Sequence, residues 1–288
     1  MNPITYTGVD TKLDGLITGM PDTAYHATEG HISSSGLNDI LRSPAHYFFK
    51  DESDRTRGME FGSAVHTAVL EPDLFKEKYI ITSAKARTAS VYKEAAKIHG
   101  GEFTLTQKEG DDIRMMAENV YLNAEAKRLI SESEFKEASI FTTDPVTGVR
   151  VRVRADILSF KNGFIGDYKS TTDAREHAFS RSICEYGYHV QAALYLSAIE
   201  WAFGEKMNDF FLIPQEKTAP YVAEVYQLDD ISLAIGKKLM RESLNKYAEC
   251  METGNWHPYI GNGERRLITL PDWVINQFED ENELIIGS

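Results

Sequence analysis

The chain has 288 residues, 42% of them hydrophobic and 26% charged, and a formal net charge of −13. This is enough chain to bury a substantial core, with the composition of an ordinary globular protein. The acidic balance excludes indiscriminate coating of nucleic acid, but not a DNA enzyme with a local basic track and acidic metal ligands.

No apolar run approaches the roughly 18 residues that a membrane span requires. The opening Met-Asn-Pro-Ile-Thr-Tyr-Thr-Gly has neither the basic nor the apolar region of a secretory leader. A cytoplasmic protein with no membrane partner is expected. Cys184 and Cys250 are far apart and form no CxxC, so a disulfide framework, a zinc knuckle and an iron–sulfur cluster all lack ligands.

Residues 1–30 carry no sustained period and read as an extended or irregular N-terminal arm, ahead of a single domain over 31–288 elaborated from about 255. In His31-Ile-Ser-Ser-Ser-Gly-Leu the serines supply an N-cap for a short helix with Leu37, Ile40 and Leu41 at helical spacing, ended by Pro44. The aromatic run at 45–49 reads as core, and 50–57 as a charged loop. Met59, Ala64, Val65, Ala68 and Val69 mark the next helix. Small residues Gly62, Ser63 and Ala64 permit close packing there, and His66 lies among them. A histidine in that place is ordinarily a satisfied core residue, and gains interest only if it faces carboxylates.

Polar, Lys/Ala-rich 83–102 reads as a mobile segment over a site. Residues 106–130 read as one long amphipathic helix, and 135–143 as a strand leading into the turn Asp144-Pro-Val-Thr-Gly148. The alternating run from Val149 then meets Lys161-Asn162-Gly163 and a second run ending in Asp167-Tyr168-Lys169. Asn-Gly between alternating segments predicts a β-hairpin. On it Arg152, Arg154 and Asp156 share one face of the first strand, and Asp167 and Lys169 one face of the second.

If those faces coincide, two carboxylates and an ammonium converge. Clustered carboxylates raise one another's pKa unless a cation neutralises them. A hard divalent ion with oxygen ligands, Mg²⁺ or Mn²⁺, resolves the conflict, whereas a water-facing charged hairpin is the plainer alternative.

Ser170–Asp173 leads into a helix, and a stronger one covers 186–203, placing Gln191 and Tyr195 on one face. Strands follow at 210–214 and 221–227, then a helix over 228–252 capped by Asp229 or Asp230. The tail, through Arg265, Arg266 and apolar 267–270 to Ile286, reads as irregular with one short helix.

Asp156, followed after ten residues by Asp167-Tyr-Lys169, resembles the PDDEXK nuclease core, in which an acid ends one strand and acid-x-Lys lies on the next. Gln191-Ala-Ala-Leu-Tyr195 resembles the QxxxY helix motif of the RecB-like subset, and His66 in Gly62-Ser-Ala-Val-His66 its metal-ligand histidine. Ile32-Ser-Ser-Ser-Gly-Leu, Ser43-Pro44 and Gly-Ser-Ala-Val-His together resemble most closely RecE (exonuclease VIII) nuclease domains, over roughly 25–255.

The resemblance implies an α/β (α+β) fold: a restriction-endonuclease-like core with a mixed central sheet flanked by helices. It implies catalytic Asp156, Asp167 and Lys169, and a Mg²⁺ site, with Mn²⁺ an alternative, made by His66, Asp156, Asp167 and the Tyr168 carbonyl. Gln191 and Tyr195 would brace the site or hold the DNA backbone. Ser35 with Arg42 are the nearest candidates for gripping a 5′-phosphate, as in lambda-exonuclease-type relatives. Arg152 and Arg154 are candidates for strand contact, or for pairing with acidic neighbours.

The implied activity is Mg²⁺-dependent 5′→3′ digestion of double-stranded DNA ends, leaving 3′ single strands for recombination by annealing. The implied partners are duplex ends, a RecT-type annealing protein, and further copies of the chain in a homo-oligomeric ring, expected as a tetramer. Two alternatives stand beside it: a structure-specific or single-strand endonuclease on the same core, and a DNA-end-binding subunit that does not cut. The second ordinarily loses an acid or the lysine, and Asp156, Asp167 and Lys169 are all present.

Overall fold

A computed structural model describes residues 3–8, 14–50, 56–259, 265 and 267–279. Most of the charged loop at 50–57, Arg266 and the tail from 280 to Ile286 lie outside the described residues. Strands β1 (Ile4–Thr5) and β2 (Gly15–Thr18) precede the short helix α1 (Asp22–His26). The region expected as an irregular arm thus contributes to the sheet, and Leu16 and Ile17 are buried.

Helix α2 (Ser34–Arg42) starts as expected, with the Ser33 hydroxyl accepting from the Gly36 N–H. Ser43 caps α3 (Pro44–Phe48), and Pro44 occupies the first turn, where its missing N–H costs nothing. The aromatic run there is not all core. Phe48 is 53% exposed and Phe49 72%, because Phe48 stacks on Trp256 at the surface.

Helices α4 (Arg57–Leu70) and α5 (Pro72–Lys78) lead to β3 (Ile80–Ile81). The segment expected to be mobile folds instead as α6 (Ser90–His99), and β3 pairs in parallel with β4 (Thr104–Leu105). Arg87 pins the segment down, ion-paired to Glu60 at 2.9 Å and to Glu109 at 3.0 Å.

The single helix expected over 106–130 is two, α7 (Gln107–Val120) and α8 (Ala124–Glu132). Asn123 breaks it, since its side-chain oxygen accepts from the Glu125 and Ala126 N–H groups and so starts a new helix. Next come β5 (Phe135–Thr143), β6 (Arg150–Ser159) and β7 (Phe164–Thr171), with Gly163 at φ +70° in the second turn. Helices α9 (Glu176–Tyr186) and α10 (Tyr188–Phe203) carry the chain across to β8 (Asp209–Glu216). Of the strand expected at 221–227, only β9 (Tyr226–Gln227) pairs as a strand. Helix α11 (Asp230–Thr253), capped by Asp229, and α12 (Asp272–Glu279) complete the described elements.

Among the described residues, seven strands form one mixed sheet in the order β1-β2-β5-β6-β7-β8-β9. β7 and β8 are parallel and joined through α9 and α10, while β2, β5, β6 and β7 are antiparallel neighbours. This is the mixed α/β fold expected. One core cluster joins α2, α10 and α11 to the sheet, and a second joins α4, α7 and α8 to it. No helix among the described residues is long and apolar enough to cross a membrane.

Candidate metal centre

The site forms where the hairpin ladder stops. β6 and β7 pair from Ser159–Phe164 to Ile157–Gly166. On the next row Asp156 stands opposite Asp167, and the Tyr168 N–H donates to Asp156 Oδ2 at 2.7 Å instead of to backbone. Gly166 permits the close approach just before this fork, since a Cβ there would strike the side chain of Ile157. The two acids named from sequence are therefore cross-strand neighbours, both buried.

A third carboxylate shares that row. β5 and β6 keep one register on either side, Lys136 opposite Ile157 and Ala138 opposite Ala155, so Glu137 lies opposite Asp156. Its φ is +51°, a left-handed conformation that costs an L-residue roughly 1–2 kcal/mol. Side-chain alternation slips at this row on β6. Val151, Val153, Ala155 and Leu158 enter the cluster under α10, whereas Ile157 enters the other one. Strain held at one position against the preference of its residue type marks a site the fold over-determines.

His66 reaches the carboxylates from α4. Gly62, one turn earlier, lets the helix approach β7 closely, with a Cβ position only 3.4 Å from Ser170 Oγ. His66 Nε2 lies 2.8 Å from Asp156 Oδ2, and Nδ1 lies 3.1 Å from Glu137 Oε1. Donor atoms of His66, Glu137 and Asp156 fall within 4.8 Å of one another. Glu137 was not among the residues named from sequence. The signal for it was the register that the Asp144–Gly148 turn imposes across β5 and β6.

Asp167 sits beside this trio, between Gln191 and Lys169. Oδ1 accepts from Gln191 Nε2 at 2.6 Å, and Oδ2 is 2.6 Å from Lys169 Nζ. Gln191 thereby braces the acid, and Tyr195 is buried one turn further along α10. Lys169 Nζ also lies 4.7 Å from the centre of the Tyr188 ring. The sequence-named Asp156, Asp167, Lys169, His66, Tyr168, Gln191 and Tyr195 thus come together.

Ser35 and Arg42 do not join them. Ser35 Oγ contacts Ser33 Oγ, and Arg42 is exposed seven residues on, about 10 Å along the helix. Arg152 is also diverted: its Nη1 donates to the carbonyls of Tyr25, His26 and Thr28. Arg154 bonds Ser139 Oγ and the Met20 carbonyl and lies over the Tyr25 ring, yet it also lines the cavity above the site. The two arginines tether the N-terminal segment as one wall of that cavity. Its volume is about 990 Å³, and Tyr79 and Phe103 line another side.

The electrostatics are those of a site short of positive charge. Burial lifts Asp167 to about 6, despite Lys169, and lifts Glu137 to about 7, despite His66. Burial would lower His66, but the charges of Asp156 and Glu137 outweigh it and raise it to about 10. Burial would likewise raise Asp156, but His66 and Lys169 hold it below the usual carboxylate range. Glu137 Oε1 and Asp167 Oδ2, both buried, accept no well-directed hydrogen bond. Closely set carboxylates beside one imidazole, with underserved oxygens among them, fit a hard divalent cation.

The sequence profile of a PDDEXK-like domain of unknown function (DUF3799) matches residues 33–265. Among solved structures, the fold is similar to a protein from Eubacterium rectale whose name gives it as a candidate exonuclease. The TM-score is 0.56 at 15% identity, over 90% of this chain and 97% of that one. A phage-related exonuclease from Haemophilus somnus is also matched, with a TM-score of 0.36 at 13% identity, over 80% of this chain and 99% of that one. None of the curated proteins matches by sequence.

Proposed function

We propose that this chain, which belongs to the family of PDDEXK-like domains of unknown function (DUF3799), is a divalent-cation-dependent nuclease that digests one strand of duplex DNA from its 5′ end. Family membership supports a nuclease. The observation that carries the reading is the single row Glu137–Asp156–Asp167, with His66 above it and Lys169 beside it.

His66, Glu137 and Asp156 would hold the cation, with Asp167 and the Tyr168 carbonyl adjacent. When bound, Mg²⁺ or Mn²⁺ offsets phosphate charge and makes water acidic enough to attack near neutral pH. Lys169 would orient the attacking water and offset the charge that develops on the phosphate. Gln191 holds the Asp167 carboxylate in one orientation, with Tyr195 packed one turn beyond it on α10. In this reading the chain works as a RecE-like homo-oligomeric ring and passes the 3′ strand to an annealing protein. Basic side chains lining the hole would reconcile a net charge of −13 with a DNA substrate.

The test is digestion of linear duplexes labelled at either end, with and without a 5′-phosphate, in Mg²⁺ and in EDTA. Loss of the 5′ label first, in Mg²⁺ only, supports the reading. Cutting of covalently closed circles at the same rate would replace it with an endonuclease.

A further inference from the structure

We propose that Tyr186, at the corner between α9 and α10, is a stacking subsite for one unpaired nucleobase of the strand bound at the metal centre. The proposal rests on the nuclease reading above. Its basis is a column of four aromatic rings with one free end. Tyr226 stacks on Phe179 (5.8 Å, 22° between planes), Phe179 lies against Tyr188 (6.0 Å, 35°), and Tyr188 stacks on Tyr186 (5.7 Å, 28°). Phe179 is 1% exposed and Tyr186 57%, so the row of rings passes through the core at Phe179 and comes out to solvent at Tyr186.

The column passes the site. Tyr188 lines the cavity, and its ring carries the Lys169 ammonium at 4.7 Å. A strand whose phosphate lies at Lys169 would pass beside the Tyr188 ring, on which Tyr186 is stacked. Tyr186 is also held in place. A single residue, Gly187 at φ +67°, joins the two helices, and Asn38 Nδ2 donates to the Tyr186 carbonyl at 3.0 Å. A Cβ at Gly187 would collide with the Asn38 side chain, so α2 and this corner are fitted to each other.

A rigid exposed ring in register with a stack suits a flat π partner, and every base offers one regardless of sequence. A base inside the duplex has both faces covered, so the subsite takes an unpaired base in preference to any paired one but the terminal pair.

The test uses the full chain in EDTA with a short single strand carrying 2-aminopurine, whose fluorescence falls when it stacks. The wild type and Tyr186→Phe should quench the probe on binding. Tyr186→Ala should lose the quench and bind about five- to a hundredfold more weakly. In Mg²⁺ the alanine variant should show its larger effect on KM. Equal quenching and equal affinity in Tyr186→Ala overturn the subsite while a DNA-cutting wild type keeps the nuclease reading. A wild type that neither binds nor cuts DNA overturns both.

Discussion

Glu137→Gln separates a cation site from an ordinary buried ion cluster. Burial lifts the Glu137 carboxyl from 4.5 to about 7, against the pull of His66. An acid whose folded value exceeds its unfolded value binds more protons when folded, so its ionisation removes stability as pH rises from about 4.5 to about 7. At 1.36 kcal/mol per decade, the loss reaches about 3 kcal/mol above that window. A glutamine has the same shape and no charge to bury. In EDTA at pH 8 the variant should therefore melt about 5 °C above the wild type, with the gap shrinking toward pH 5. Saturating Mg²⁺ or Mn²⁺ should stabilise the wild type more than the variant, because a ligand stabilises only the form that binds it. Thermal unfolding at the two pH values, with and without cation, reads all three effects. A variant that melts at or below the wild type at pH 8 in EDTA would mean that Glu137 is ionised at no cost.

Gln191→Leu leaves buried Asp167 Oδ1 without its donor. It should cost about 1–3 kcal/mol and push Asp167 further up, moving the acid limb of the pH–rate profile to higher pH; an unmoved limb would deny Gln191 that role. Arg152→Ala removes one guanidinium group from the carbonyls of Tyr25, His26 and Thr28. Amide hydrogen exchange within 20–28 should rise well above that of the sheet, and unchanged protection would mean that Arg152 is not the tether.

The chemistry of the site was legible where it was local. Asp156, Asp167 and Lys169 follow from one hairpin turn and a two-residue period, and Gln191 and Tyr195 from helical spacing. His66 came by resemblance, and its approach depends on Gly62 meeting Ser170 across the fold. Glu137 was hidden because its place depends on a register set at the Asp144–Gly148 turn, and because a left-handed glutamate within a strand has no propensity signal. β2 was missed for a related reason: four residues gain their burial only by pairing with β5, more than 120 positions later. Arg152 and Arg154 were read as strand contacts or as partners of acidic neighbours, and Arg154 does lie 3.7 Å from Asp22. Their partners are largely backbone carbonyls of the N-terminal segment, which carry no sequence identity. The helix break at Asn123 was in reach, since a capping residue interrupts the apolar period there.

If His66, Glu137 and Asp156 hold a divalent cation at which phosphodiesters are broken, the cation and the Asp156 charge are both required. Digestion of a linear duplex by the wild type and Asp156→Asn, in Mg²⁺ and in EDTA, with DNA binding measured in parallel, tests both at once. The expected result is digestion by the wild type in Mg²⁺ alone, and DNA binding without digestion by Asp156→Asn. Digestion in EDTA, or by Asp156→Asn at the wild-type rate, would contradict it.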